Sequence, residues 1–497
     1  MVYRQRCLLL QETELVLDNN AKGLVRLIKD QELSSFEVTE YFIGRIEAHN
    51  GSINAVIAER FEAAREEAQR ADEMVKRGEP LGALHGLPMT IKDAYEVTGL
   101  TCEVGHLPFK GRVSDTDAVV VQRLRAAGAI ILGKTNTPLH CADLQTYNAI
   151  HGTTNNPHDV ARTPGGSSGG AAAALAAGMT PLEFGSDIGG SIRTPSHFCG
   201  LFGHKPTFDI IPQRGHVPPV HGALTSPALG VMGPLARSVE DLELAFDVTV
   251  GFERKPGSGL ELALPASRVT SVRHLRVGIW LGDDYCPVDH EILAGIEQAA
   301  QALASQGAVV SEAKPDFSLA EHHETYLMHL APIVGASFGP DAIALMERVA
   351  RELGPEDKSH NAIQARGSLL PHRDWLLWNE IRAHMVAKWD AFFDDYDVLI
   401  CPVTPTTAMP HDQDTPYGAR RIWVNDEPRP YTDNVVWAGV ATLCSLPSTA
   451  VPVGRHSDGL PFGLQVIGPE YGDRTTLAVA SMLESLGYTA ELASGFN

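Results

Sequence analysis

The chain of 497 residues contains no CxxC pair, and its seven cysteines, Cys7, Cys102, Cys141, Cys199, Cys286, Cys401 and Cys444, are scattered and odd in number. This argues against a disulfide scaffold or a structural zinc site and suits a reducing cytosol. Basic charge is also scarce, with 40 Lys plus Arg against 61 Asp plus Glu and a formal net charge of −21. That balance argues against nucleic acid or an anionic membrane as a partner held by overall charge. No apolar run approaches the roughly 18 residues of a membrane-spanning helix. Even Ala171 to Ala177 is bounded by glycine at both ends. The start, MVYRQRCLLLQETELVL, has a short apolar stretch followed at once by acidic residues, so neither a signal peptide nor a membrane anchor is expected, and the expected location is cytoplasmic. Aromatic residues are few at 7%, yet the hydrophobic fraction of 44% can fill a sizeable core.

What is present reads as alternating α/β. Ser34 and Glu37 form a capping-box pattern before Val38, Tyr41, Phe42 and Ile46, which share one helix face. A charged helix is expected over 59–77, a strand over Pro88 to Ile91, a helix over 116–127 stopped by Gly128, and a buried strand over Ala129 to Leu132. The order recurs with a strand at Leu275 to Trp280, a helix over 289–306 and a strand at Ala308 to Val310. Such series imply right-handed crossovers and a mixed, mostly parallel central sheet covered by helices on both faces. Residues 207–234 hold five prolines and read as a long loop; 405–430 reads as a Pro-rich surface stretch, and 318–388 as a helical cover. With no repeat or linker, one large α/β domain over 1–497 is expected.

Two familiar patterns are discounted. Gly128 to Thr135 fits a phosphate loop, but its middle residues form an apolar strand rather than a loop of free N–H groups. Gly165 to Gly169 fits a GxSxG elbow, but Ala161-Arg-Thr-Pro164 before it is no buried strand. His322, His323, Glu324 and His329 lack the spacing of a zinc helix and are read as solvated. The informative stretch is RTPGGSSGGAAAALAAGMTPLEFGSDIGGSIRTPSHFCGLFGHKP, Arg162 to Pro206. Its glycine and serine clusters let backbone N–H groups approach a substrate oxygen. A serine nucleophile needs a base. None of twenty histidines is marked by context, whereas Lys92 ends a buried strand in HGLPMTIKD. A pKa drop of about 3 units for such a lysine costs about 4 kcal/mol, which a large core can bear.

With these motifs, the sequence resembles the amidase signature family. The resemblance is strong from Gly86 to Pro206 and extends to Gly233-Pro-Leu-Ala-Arg-Ser-Val-Glu-Asp241 and Gly459-Leu-Pro-Phe-Gly-Leu-Gln465. It implies a signature core at about 75–240, the cover at about 318–388, and C-terminal strands and helix over 398–490. It also implies a triad of Lys92 as base, Ser167 as bridging serine on a cis peptide bond and Ser191 as nucleophile. The N–H groups of Ile188, Gly189, Gly190 and Ser191 would form the oxyanion hole, with Ser168, Asp187 and Arg193 in support and no metal or cofactor. Ala94 stands where many members carry asparagine, and Ala228-Leu-Gly-Val-Met232 lacks the usual acidic residue, which weakens the case for a glutamine-like substrate. The expected substrates are therefore small apolar or aryl amides, with esters and carbamates (urethanes) as further candidates. Cys141, Asp143, His216 and His221 are expected in the pocket, with Cys141 as lining because no base is marked for it. The expected assembly is a monomer or homodimer without nucleic acid or membrane. The alternative is a glutaminase-type A subunit of an amidotransferase complex.

Overall fold

Ser34 Oγ accepts the Glu37 N–H while Glu37 Oε2 accepts the Ser34 N–H at 2.8 Å, and this reciprocal cap starts the first long helix as its spacing predicts. The computed structural model describes residues 15–16, 19–218, 220–253, 259 and 261–496. Cys7 and most of the N-terminal start lie outside them. Helices α1 (Ala21–Lys29) and α2 (Ser35–Ile53) precede β1 (Val56–Glu59), α3 (Phe61–Lys76), β2 (Pro88–Lys92), α4 (Val119–Ala126) and β3 (Ile130–Thr135). β3 runs parallel to β2 and antiparallel to β1 in a three-stranded sheet of order β1-β3-β2. Gly133, Lys134 and Thr135 belong to β3, and buried Lys134 Nζ lies 2.8 Å from Asp93 Oδ1. The phosphate-loop pattern is thus a strand with its lysine paired inward.

The second sheet carries the rest of the frame. After α5 (Gly169–Ala176) come β4 (Leu182–Asp187), α6 (Arg193–Cys199), β5 (Phe202–Lys205), β6 (Val231–Ala236) and α7 (Val239–Thr249). Then follow β7 (Arg276–Ile279), α8 (His290–Ser305), β8 (Val309–Glu312) and the cover helices α9 (Leu319–Gly335), α10 (Pro340–Leu353), α11 (His360–Ser368) and α12 (His372–Asp395). The chain closes with β9 (Val398–Pro402), a hairpin of β10 (Arg421–Val424) and β11 (Glu427–Pro430), α13 (Val436–Thr442), β12 (Ser448–Arg455), β13 (Pro461–Ile467) and α14 (Asp473–Ser485). The eight-stranded order is β8-β7-β9-β13-β12-β5-β6-β4.

A large mixed sheet flanked by helices is the expected α/β architecture, but the expectation of a mostly parallel sheet is corrected. Only β8–β7 and β7–β9 pair in parallel; the other five pairs are antiparallel. Strand–helix–strand units force parallel neighbours only locally, as in β7-α8-β8, whereas the hairpin β12–β13 and the long excursions between the other strands allow reversal. Three further corrections follow from packing. The last residues of the expected 207–234 loop form β6, paired with β4 and β5. The 405–430 stretch contains the β10–β11 hairpin, and its Arg420 is buried. His322, His323 and His329 are buried rather than solvated, because α9 packs against α11 and α12 and the His322 ring stacks on Phe317 at 4.8 Å. Among the described residues, no helix is long and apolar enough to cross a membrane.

Candidate active site

Lys92 is the last residue of β2, and its side chain is fully buried. Nζ lies 2.7 Å from Ser167 Oγ and 3.0 Å from Ser186 Oγ. Burial pushes the Lys92 pKa down, against the opposing pull of Cys141, Asp187 and Glu183. A neutral amine is therefore more accessible here than on an exposed lysine. Ser167 follows a cis Gly166–Ser167 bond in the loop that enters α5. Small residues are required around it: a Cβ on Gly166 would lie 2.4 Å from the Asp143 carbonyl oxygen.

The second loop, from Ile188 to Ile192, joins β4 to α6 and carries Ser191. Asp187, at the end of β4, holds its start by accepting the Gly190 N–H at 2.8 Å and the Ile192 N–H at 3.1 Å. Arg193 grips the same carboxylate through Nη2 at 2.9 Å and Nε at 3.1 Å, and Nη1 reaches the Ala438 carbonyl and Gln465 Oε1 at 2.8 Å each. Burial alone would raise the Asp187 pKa, but the charge and hydrogen bonds of Arg193 outweigh it and bring it to about 2. Gln465, in the last sequence landmark, is thereby part of the loop's support. The two loops meet where the Ser168 N–H donates to the Ser191 carbonyl at 3.2 Å. The amides of Ile188, Gly189 and Ser191 donate to no acceptor among the described residues, whereas that of Gly190 is committed to Asp187.

Ser167, Ser191, Ile188 and Gly189 open into a cavity of about 1240 Å³. Leu107, Phe109, Leu139, Leu327, Leu330 and Phe338 give it apolar walls. Of the four expected pocket residues, Cys141, Asp143 and His216 line the cavity. His221 does not: its Nδ1 meets Glu96 Oε1 at 2.9 Å and its ring packs on Phe109, which takes the lining position instead. Burial pushes the Cys141 thiol up despite nearby Lys92, so it stays protonated at neutral pH. Asp143 is paired with Arg420 at 2.7 Å and accepts the Tyr431 hydroxyl at 2.6 Å, while Arg420 also donates to Tyr147.

Sequence reasoning missed Ser186, which precedes Asp187 within the informative stretch and was open to notice. It also missed Arg420 and Tyr431, which lie 277 and 288 residues from Asp143 and carry no local signal.

Known proteins are similar to the chain over nearly its whole length. The amidase family model matches residues 37–477. The chain is 30% identical to the A subunit of the glutamyl-tRNA(Gln) amidotransferase of Koribacter versatilis, over 92% of this chain and 96% of that one. It is also 30% identical to the indoleacetamide hydrolase of Bradyrhizobium diazoefficiens, over 92% and 84%. The crystal structure of a bacterial aryl acylamidase superposes with a TM-score of 0.78 at 26% identity, covering 94% of this chain and 96% of that one. With its two glycine–serine loops meeting above a buried lysine, the chain belongs to the amidase signature family and is a hydrolase of amide C–N bonds.

Proposed function

We propose that hydrolysis runs through Lys92, Ser167 and Ser191. Neutral Lys92 takes the Ser167 hydroxyl proton as Ser167 takes that of Ser191, and Ser191 Oγ attacks the amide carbon. The oxyanion is held by the Ile188, Gly189 and Ser191 amides, while Gly190 fixes the loop through Asp187. The C–N bond breaks as Ser167 passes a proton to the departing nitrogen. Water then attacks the acyl-enzyme along the same relay and releases the acid. The observation that carries this reading is the 2.7 Å contact of a fully buried Lys92 with Ser167.

The substrate class we propose is an apolar or aryl amide, with esters and carbamates as further substrates. In support, the cavity walls are mainly apolar. Arg420, the single Arg or Lys among the described lining residues, is already paired with Asp143. A substrate carboxylate would find no free cation there. Likeness to amidotransferase A subunits favours a second reading, a partner-dependent glutaminase.

Purified chain offered a nitroanilide, an aryl amide, a carbamate and glutamine separates the two. Release of amine from apolar substrates without partners is expected; activity on glutamine alone, or only with added partner chains, overturns the first reading. Fluorophosphonate labelling followed by peptide mass spectrometry should place the adduct on Ser191, and Ser191→Ala should abolish turnover. An adduct on Cys141 or another serine refutes the assignment.

A further inference from the structure

His216 reaches Lys92 through one hydroxyl. Its backbone is anchored beside β2, where the Glu96 N–H donates to the Gly215 carbonyl at 2.8 Å and the Val217 N–H donates to the Ala94 carbonyl at 2.7 Å. The ring stands edge-on to Tyr95 at 5.4 Å. Nδ1 lies 3.1 Å from the Pro218 carbonyl oxygen and Nε2 lies 2.9 Å from Ser186 Oγ. A carbonyl oxygen only accepts, so Nδ1 carries the proton. Burial pushes the ring's pKa down to about 3, so at neutral pH it has one proton and Nε2 is an acceptor. The Ser186 hydroxyl must then donate to His216, which leaves its oxygen lone pairs for the Lys92 N–H at 3.0 Å.

We infer that His216 is a positioning residue for the base: by holding the Ser186 proton, it makes Lys92 donate an N–H to Ser186 and aim its lone pair at Ser167. This rests on the proposed role of Lys92. Without an acceptor at position 216, the Ser186 O–H is free to turn and donate to the Lys92 lone pair, in competition with Ser167. The other groups facing the pair are fixed on separate elements. Cys141 faces Lys92 from the turn after β3, Glu183 and Asp187 face it from β4, and Lys134 of β3 adds its charge to that of Lys92 against His216. Protonation of His216 beside these lysines is disfavoured, so the relay keeps one polarity through the neutral range.

The test uses the full chain and a nitroanilide that it turns over. His216→Leu should lower kcat about tenfold, the effect of roughly one misdirected hydrogen bond, with KM within about twofold. The acid limb of kcat should move to lower pH, because a hydroxyl donating to the amine favours its neutral form. His216→Gln, whose Oε1 can accept the same proton, should recover most of kcat and restore the limb. In a Ser186→Ala background, His216→Leu should add little, since the intermediary is gone. Thermal melts confirm folding; if His216→Leu does not fold, Ser186→Ala carries the test, and its limb should also move to lower pH because the acceptor of the Lys92 N–H is gone. A rise in KM with unchanged kcat would make His216 a substrate contact and overturn the inference, as would full additivity with Ser186→Ala or an unmoved limb. Lys92→Met separates the two levels. Turnover retained in Lys92→Met removes the underlying role of Lys92, whereas a dead Lys92→Met beside an unaffected His216→Leu removes only the inference about His216.

Discussion

Asp187 and Arg193 face each other at the two ends of the loop that carries Ser191, joined by two side-chain hydrogen bonds of 2.9 and 3.1 Å and shielded completely from solvent. Removing one partner leaves an uncompensated buried charge. Arg193→Ala should therefore cost about 3 to 5 kcal/mol of stability. The same pair sets an acid limit. The folded Asp187 pKa of about 2 lies below its unfolded value, so its contribution is complete above about pH 4 and fades as pH falls towards 2. Urea unfolding at several pH values checks both: the Arg193→Ala chain should lose stability at neutral pH and show a shallower decline between pH 4 and 2.

Lys92 shows linkage of the same sign in a higher pH window. Its folded pKa lies below 10.5, so the unfolded chain binds more protons between the two values and stability rises with pH across that window. Lys92→Met fills the same space without a charge to desolvate. At neutral pH it should melt no lower than the natural chain while turnover falls by about a thousandfold or more. Calorimetry and single-turnover kinetics on the same preparation check this; a variant that is both active and equally stable contradicts it.

Histidines of the cover give a third pH dependence. His322 and His360 are pushed by burial to about 3 and about 4, and His323 is also lowered. Below about pH 6.5 the unfolded chain binds protons that the folded cover excludes, so stability falls as pH falls, by up to about 1.4 kcal/mol per pH unit for each group. Neither ring nitrogen of His322 has a hydrogen-bond partner among the described residues. His322→Phe should accordingly flatten the melting-temperature slope between pH 6 and 4 without reducing stability at pH 8. An unchanged slope would show that His322 is already charged.

Gly190 has a φ of +99°, and a Cβ there would come within 2.7 Å of Thr194 Oγ1 and 2.9 Å of the Ala438 Cβ. The loop must shift to accept it, and with it the amides beside Ser191. Gly190→Ala should lower kcat about a hundredfold or more at little change in KM. Gly189→Ala is the control, since its Cβ would meet nothing closer than the Tyr326 hydroxyl at 3.2 Å, and it should remain far more active. Equal losses in both would point to the amide environment in general rather than to the steric clash.

Composition and local pattern by themselves determined the class of the fold, the capped helix at Ser34, the strand ending in Lys92 and the two glycine–serine loops. Each of these is encoded over a few consecutive residues, where periodicity, caps and small side chains act directly on the backbone. The residues around it singled out Lys92, and the family resemblance added Ser167 and Ser191; in the fold Lys92 lies against Ser167, and both serines line one cavity. Only the tertiary structure decided strand direction in the large sheet, because a long connection imposes no direction on the strands it joins. It also decided that His216 reaches Ser186 while His221 turns to Glu96, and that Arg420, from an apparent surface stretch, neutralises Asp143 in the cavity. Hydrogen-bond partners for such side chains are chosen by proximity in space across as many as 277 residues, and nothing in the local sequence at either end records the choice.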